Sequence, residues 1–446
     1  MGTRRDTVRP IKLENLESRR LLSGLTLVTH GQGGDAGDEV EFIADLIDRR
    51  AGGAAHYVMT VERDGLLGAE VVSFERDADS PDIGDVESGE QIVRLDWSDA
   101  NRVPTTAIAR AVAQYMLRNG LVEQQLHLAG PSRGASVISN LAAELGERGV
   151  WVDHVTYLDP VPAGAPVPIF GDFIDGEMRV TENVLFADNY WRSDGDITTG
   201  FDGQSVRGAY NVELTMVEED NFGDPHVGAG VYYIATVDPN EPIVPPAKES
   251  WYAGTRDRPA RDRTGYKFSR IAGGARPRDG VSAGFDGTAR RDGVDRDGSQ
   301  WSNIDGLKVL GSRRQFAVGE RFKISYRFND ADSNANVAIV IDNDRNPYNN
   351  WVATLARRDY AAQEEPLIRR LLVGKSNLDA GEYFLAARIK DDAGHVRYAY
   401  APYSIELTGT AGTAGASSVA MGTRQPTTGV FSMAPLAGLG ELEELI

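Results

Sequence analysis

Cysteine is absent from all 446 residues. That excludes disulfide cross-links, a thiol nucleophile and thiolate-held metal, and it leaves the compartment open. No run of about 18 apolar residues occurs, so no membrane-spanning helix is expected. Positive charge is scarce: 47 Lys and Arg stand against 66 Asp and Glu, a formal net charge of −19. A chain of that charge is not expected to bind nucleic acid or an anionic membrane. The Gly-rich turn at His30–Gly34 is neither G-x-G-x-x-G nor a Gly-Lys-Ser/Thr phosphate loop, and no cofactor or catalytic metal is expected. What remains is ordinary for a globular chain, 41% apolar and 25% charged, of a length that fits two or three domains.

The segment Leu126-His127-Leu128-Ala129-Gly130-Pro131-Ser132-Arg133-Gly134 organises the first half. A short apolar run meets a G-x-S-x-G pentapeptide, and Val137, Leu141 and Leu145 then recur at helical spacing. Strand, sharp turn and helix is the context of a nucleophile elbow. The serine sits at the apex, the small neighbours let strand and helix approach, and the Arg133 amide is placed to bind an oxyanion. In a chain with 49 glycines the pentapeptide alone has little specificity.

Other strand and helix signals alternate with it. Leu25–Thr29 reads as a buried strand, followed by the turn His30-Gly31-Gln32-Gly33-Gly34 and a helix through Val40, Ile43 and Ile47. Tyr57–Val61 and Glu70–Phe74 read as strands around Asp64-Gly65, and Asp77–Glu90 as a polar loop. Ile92–Trp97 is the next strand, and Pro104 opens a helix that ends before Gly120. Val152–Leu158 ends at Asp159-Pro160. A Pro-rich apolar loop at 162–170 suits an acyl pocket or small lid. Val184–Ala187 reads as a strand ending at Asp188, and Ala209–Val217 as another. Asp224-Pro225-His226 reads as a loop before a last helix. This alternation predicts a mostly parallel sheet covered on both faces.

Serine catalysis needs a base and an acid that orients it. Of six histidines, His56, His127 and His154 lie in or beside strands and read as packed residues. His30 belongs to the Gly-rich turn and His395 to a later turn. Only His226 follows the serine in a loop beyond the last strand of this unit. Asp159 and Asp188 both end expected strands, and spacing alone leaves the acid open between them.

Taken in order, His30-Gly31-Gln32-Gly33, Leu95-Asp96-Trp97, Gly130–Gly134 and Tyr157-Leu158-Asp159-Pro160 resemble the α/β-hydrolase superfamily, nearest its lipase-like branch. The resemblance covers roughly residues 24–237. It implies Ser132 as nucleophile, Asp159 as acid and His226 as base, with the Gln32 and Arg133 amides forming the oxyanion hole. Pro131 departs from the family, where His usually precedes the nucleophile, and Asp77–Glu90 is too polar for a lipase lid. The expected function is therefore a carboxylesterase acting on a small ester or an acylated polymer. The alternative is a non-catalytic exported surface or matrix protein that keeps the hydrolase frame.

At the N-terminus, Leu13-Glu14-Asn15-Leu16-Glu17-Ser18-Arg19-Arg20-Leu21-Leu22-Ser23 resembles the L-E-x-L-E-x-R-x-L-L-S segment near the start of many planctomycete proteins taken to be exported. An extracellular or cell-surface location is expected on that basis. After Pro239 the composition turns rich in Pro, Gly, Arg and Asp, as in a linker. From about Leu307 the apolar period becomes two: Phe322, Ile324, Tyr326, Phe328; Val337, Ile339, Ile341; Tyr383, Leu385, Ala387, Ile389; Val396, Tyr398, Tyr400. An immunoglobulin-like β-sandwich is expected, with Asp379–Tyr383 resembling the corner before a late strand of such modules. Asp330–Asn334 and Asp342–Asn346 carry oxygens suited to Ca²⁺, and Trp351, Tyr383, Tyr398 and Tyr400 are candidate glycan contacts. The expected divisions are 1–23, an export-type segment; 24–238, the α/β-hydrolase domain; 239–304, a linker; 305–408, the sandwich; and 409–446, a disordered tail.

Overall fold

The structure, a computed structural model, describes residues 24–161, 175, 178–193, 203–219, 225–237, 247–252, 265–268, 291–330, 332–374 and 378–409. The export-type motif, the Pro-rich loop 162–170 and the tail from 410 lie outside the described residues.

The first half is α/β. Its elements are β1 (Gly24–Thr29), α1 (Asp38–Ala51), β2 (Ala55–Asp64), β3 (Gly68–Arg76), β4 (Gln91–Asp96), α2 (Thr105–Arg118), β5 (Gln125–Pro131), α3 (Arg133–Glu147), β6 (His154–Leu158), β7 (Ala187–Trp191), β8 (Tyr210–Glu213), α4 (Thr215–Glu219) and α5 (Pro225–Val237). The strands form one sheet in the order β3-β2-β4-β1-β5-β6-β7-β8. Every pairing is parallel except the β2–β3 hairpin at one edge.

Alternation along the strands builds two cores. Leu25, Leu27, Val93, Leu126 and Leu128 point to one face, where α2 and α3 lay Ile108, Val112, Met116, Val137, Leu141 and Leu145. Val28, Ile92, Ala129, Leu158 and Tyr190 point to the other, beneath Val40, Ile43 and Ile47 of α1 and Tyr232 and Tyr233 of α5. Covering both faces is what makes the central strands read as apolar runs.

Several expected boundaries move. The strand placed at Val184–Ala187 is β7, and it runs from Ala187 to Trp191, so Asp188 lies inside the strand instead of ending it. Val184 makes only an isolated bridge to Val152. A strand of Ala-Asp-Asn-Tyr-Trp escapes a hydrophobicity reading because it buries Asp188 and Asn189, which Thr156, Tyr190 and Asn211 hold by hydrogen bonds. The strand expected at Ala209–Val217 stops at Glu213 and gives way to α4. Helix α5 begins at Pro225, which places His226 in its first turn rather than in a loop. Proline favours that opening position because its missing amide hydrogen is not needed there.

Parts of the expected linker are core. Trp251, Tyr252 and Tyr266 are buried against α5, and the Tyr252 hydroxyl donates to the Tyr232 carbonyl at 2.8 Å. Asp292 bridges to Thr181 as a short parallel pairing.

The second half is antiparallel for the most part: β9 (Asn303–Val309), β10 (Gln315–Ala317), β11 (Phe322–Asp330), β12 (Ala335–Asp342), β13 (Ala353–Tyr360), β14 (Gln363–Val373), β15 (Gly381–Asp391) and β16 (Val396–Thr408). They form a five-stranded sheet, β10-β16-β15-β12-β13, and a three-stranded sheet, β14-β11-β9. Both contribute to one core, with Ile324, Tyr326 and Phe328 facing Val337, Ile339, Leu385 and Ile389. In β16 the phase is opposite to the expected one. Ala399, Ala401 and Ile405 enter that core, while Tyr400 joins Val340, Phe384 and Ala386 on the other face.

This β half is seated on the edge of the parallel sheet where β4, β5 and β6 begin. The Arg397 guanidinium donates to the carbonyls of Gln124 and Trp151, 2.8 and 2.9 Å, and to Asn303 Oδ1, 2.6 Å. The Asn346 amide group donates to the Ile83 and Val86 carbonyls, 2.6 and 3.1 Å. Asp342–Asn346, one of the two segments with oxygens suited to Ca²⁺, holds this contact: Asp342 accepts from Tyr400, and Asp344 accepts from the Asn346 amide and Asn349. Among the described residues no group of three His, Cys, Asp or Glu is arranged to hold a metal ion. No helix among them is long and apolar enough to cross a membrane.

Candidate active site

Parallel strands bring their C-terminal ends to one edge. The register sets Val28 beside Ala129, Pro131 beside Leu158, and Leu158 beside Tyr190. His30, Ser132, Asp159 and Arg192 therefore leave the sheet as neighbours, opposite the edge that holds the β half.

Ser132 stands between β5 and α3 with φ 52° and ψ −127°. Among the described residues only two non-glycine residues have positive φ, and they are Ser132 and Asp159. Such a backbone costs about 1–3 kcal/mol for a residue with a Cβ and persists only where its surroundings impose it. Here they do. The Ser132 amide donates to the Leu158 carbonyl at 2.9 Å, and the Ser132 carbonyl accepts from Ala135 at 3.1 Å. Gly130 and Gly134 let the turn close: a Cβ on Gly130 would lie 2.7 Å from the Gly134 carbonyl oxygen, and one on Gly134 would strike the His30 carbonyl. Pro131 fits without losing a ladder bond. The Ser132 amide faces β6, so the nitrogen before it faces β1, whose pairing with β5 ends at Val28 and Ala129.

The turn after β1 is laid directly against the serine. A Cβ on Gly31 would come within 3.0 Å of Ser132 Cβ and 3.5 Å of Oγ. The His30 ring stacks on Trp97, centroids 4.6 Å apart. Its Nε2 accepts from the Trp97 amide at 3.0 Å, which leaves the proton on Nδ1 to be donated to the Gly31 carbonyl at 2.7 Å. That carbonyl also accepts from the Gly34 amide at 3.3 Å. A trans peptide carries its C=O and N–H in opposite directions. Fixing the Gly31 carbonyl therefore aims the Gln32 amide the other way. The Arg133 amide belongs to the first turn of α3, where backbone donors have no partner within the helix.

Asp159 is buried beside the strand that ends at Ser132, and its Oδ1 accepts from the Arg192 amide at 2.9 Å. Gly203 packs onto the carboxylate. The first turn of α5 reaches the same place, because a Cβ on Gly228 would meet the Arg192 guanidinium. His226 lies two residues earlier in the same turn of α5; its side chain lies outside the described residues.

Asp188 is elsewhere. It sits within β7, level with Thr156, below the tip. Its oxygens are taken by His154 Nε2 and the Thr156 hydroxyl, each at 2.8 Å, and by the Tyr190 hydroxyl at 2.9 Å. The His127 ring packs tilted against His154 with centroids 4.8 Å apart, and burial, then the neighbouring His154, pushes its pKa down. These two histidines are packed, as their strand positions suggest.

The Arg133 side chain and Asp175 are features of the site that the sequence did not single out. Arg133 is 4% exposed. Its Nε and Nη2 grip both Asp175 oxygens, 2.7 and 2.8 Å; Nη1 donates to Gln32 Oε1, 2.8 Å, and to the Asn101 carbonyl, 2.6 Å; Nη2 also donates to the Val103 carbonyl, 2.9 Å. A cation at the buried start of an apolar helix was the available signal, since such a charge requires an acid nearby.

No family model matches the chain, and no curated protein matches it. Solved structures give distant likenesses. A Lactobacillus plantarum WCFS1 protein, provisionally assigned as a cell surface hydrolase, is 12% identical over 38% of this chain and 67% of its own, with a TM-score of 0.26. A CARDB domain from Pyrococcus furiosus, solved with two metal ions, is 9% identical over 24% of this chain and 87% of its own, TM-score 0.16. A sporulation control protein of Bacillus subtilis is 8% identical over 25% of this chain and 50% of its own, TM-score 0.18. None reaches a TM-score of 0.5, so the functional reading rests on the geometry of the chain itself.

Proposed function

We propose that this protein is a serine hydrolase of carboxylic esters built on the α/β-hydrolase fold. The observation that carries the reading is the pair of strained residues. Among the described residues Ser132 and Asp159 alone combine a side chain with positive φ, and they sit on adjacent strand tips. Backbone strain concentrated at one edge marks a working site. In this reading the Ser132 hydroxyl attacks the ester carbonyl while His226 takes its proton and Asp159 orients the imidazole. The Gln32 and Arg133 amides stabilise the oxyanion. The alkoxide leaves with the proton returned by His226, and water then cleaves the acyl-enzyme by the same steps in reverse roles.

Asp159 is preferred to Asp188 as the acid because the hydroxyl and imidazole groups around Asp188 already occupy both its oxygens. The Tyr383 hydroxyl, donating to the Asp379 carbonyl at 3.2 Å, supports an immunoglobulin-like reading of the β half. With that half on the far edge, a glycan held there would serve to retain the enzyme near an acylated polymer, not to shape the acyl site. The segment Leu13–Ser23 supports export to the cell surface or beyond.

The test is hydrolysis of short p-nitrophenyl esters by the full chain. Wild type turns them over, and Ser132→Ala, His226→Ala and Asp159→Asn each lose about 10³-fold or more in kcat while remaining folded. Equal turnover by Ser132→Ala and wild type would overturn the mechanism.

A further inference from the structure

Arg133 contributes more than a backbone amide. A guanidinium has five N–H groups, and here each has an acceptor: two on Asp175, one on the Gln32 side chain, one on Asn101 and one on Val103. These acceptors come from three different connections. Gln32 lies between β1 and α1, Asn101 and Val103 lie between β4 and α2, and Asp175 lies between β6 and β7. Asp175 is fixed in turn, since its Oδ1 also accepts from the Thr105 amide at 3.3 Å. All three connections leave the edge that carries Ser132. The Arg133 guanidinium also lies over the Trp97 ring, 5.6 Å from its centroid, and Trp97 braces His30.

We propose that Arg133 is a positioning residue that holds the Gly31–Gln32 peptide in register with Ser132 through the Gln32 side chain. The proposal rests on the serine-hydrolase reading of the same site. His30 fixes the carbonyl end of that peptide, and the Gln32 side chain, tied to Arg133, fixes the other. Gln32 itself is exposed, and among the described residues this tether is the hydrogen bond that ties its side chain to a buried group. An oxyanion donor acts only when it is already in place as charge develops. The tether therefore acts on the transition state and leaves ground-state binding of an ester unaffected. Lysine cannot replace arginine here, because a single ammonium lacks the planar fork that reaches Asp175 and Gln32 together.

The experiment compares Gln32→Ala, Gln32→Glu and Arg133→Lys with wild type on p-nitrophenyl butyrate, alongside labelling by a fluorophosphonate. Gln32→Ala keeps the residue 32 amide and removes only the tether. It is expected to lower kcat about 10-fold or more, with KM within about 2-fold and thermal midpoint within about 2 °C of wild type. Gln32→Glu returns an acceptor to Arg133 and restores kcat to within about 3-fold of wild type, whereas Arg133→Lys does not. Unchanged kcat in Gln32→Ala overturns the proposal, and so does an equal loss in Gln32→Ala and Gln32→Glu. A wild type that neither hydrolyses the ester nor takes the label overturns the hydrolase reading and this one with it. A labelled, active wild type with an indifferent Gln32→Ala removes the tether alone.

Discussion

At the scale of single residues, the site is defined by conformations that side chains ordinarily avoid. Ser132 holds φ 52° because the Leu158 carbonyl, the α3 start and the glycines around it leave no other path. This makes a sign prediction. Elsewhere in a protein, glycine is less stable than alanine because it has more freedom to lose. At Ser132 the order should invert: Ser132→Gly is expected to melt a few degrees above Ser132→Ala, as relief of about 1–3 kcal/mol of strain exceeds the entropy term. Matched thermal melts of the two inactive variants check it, and a higher midpoint for the alanine variant would show that the turn is unstrained. Arg133 makes the second residue-scale prediction. Arg133→Met removes the guanidinium from the buried Asp175 carboxylate and should cost about 3–5 kcal/mol in urea unfolding, while Arg133→Met with Asp175→Leu should recover much of that loss.

At the scale of elements, what matters is how closely strand tips, turns and helices approach. The turn after β1 lies against Ser132, and Gly31 is the point of close approach. Gly31→Ala introduces a methyl 3.0 Å from Ser132 Cβ. The turn must retreat by a few tenths of an ångström, so kcat is expected to fall about 10–100-fold with little change in thermal midpoint; steady-state kinetics and a melt on the same sample decide it. The elements around this contact were readable in the sequence, because β1, β4 and β5 are apolar runs, α3 is strongly periodic and the elbow carries small residues at fixed places. The later elements were less so. β7 is polar and buried, so Ala187–Trp191 gave no apolar signal, and Asp188 looked like a strand end. β13 and β14 carry paired arginines, Arg357-Arg358 and Arg369-Arg370, that hide their alternation. In β16 the aromatic residues mark the wrong face, since Tyr400 is buried in the smaller apolar cluster with Val340, Phe384 and Ala386, its hydroxyl on Asp342. Composition showed that Arg133 was buried cation or surface charge without saying which, and its acid partner at 175 lies 42 residues away in sequence.

At the scale of the whole molecule, the two halves meet at the sheet edge away from Ser132, and that seam contains a titratable group. Glu123 lies there, with its carbonyl accepting from the Tyr398 amide at 2.7 Å. Burial pushes its carboxyl up to about 7. A raised carboxyl binds its proton more tightly in the folded chain, so its contribution to stability falls as pH rises between about 4.5 and 7. Below that window the group is neutral in both states and has no effect; above it the full penalty of a buried charge applies. Glu123→Gln should therefore match wild type near pH 4 and exceed it in thermal midpoint at pH 8. A pH-independent difference between the two would mean that the seam is open to water at this point. Activity at the opposite edge should follow its own pH profile and remain unaffected by this substitution.

The central claim is that Ser132 is the nucleophile, and the most direct measurement is mass mapping of the full chain after reaction with a fluorophosphonate. One adduct is expected, on Ser132, lost in Ser132→Ala and formed in step with the loss of ester hydrolysis. A folded protein that takes no adduct, or carries it on another residue while hydrolysis continues, would contradict it.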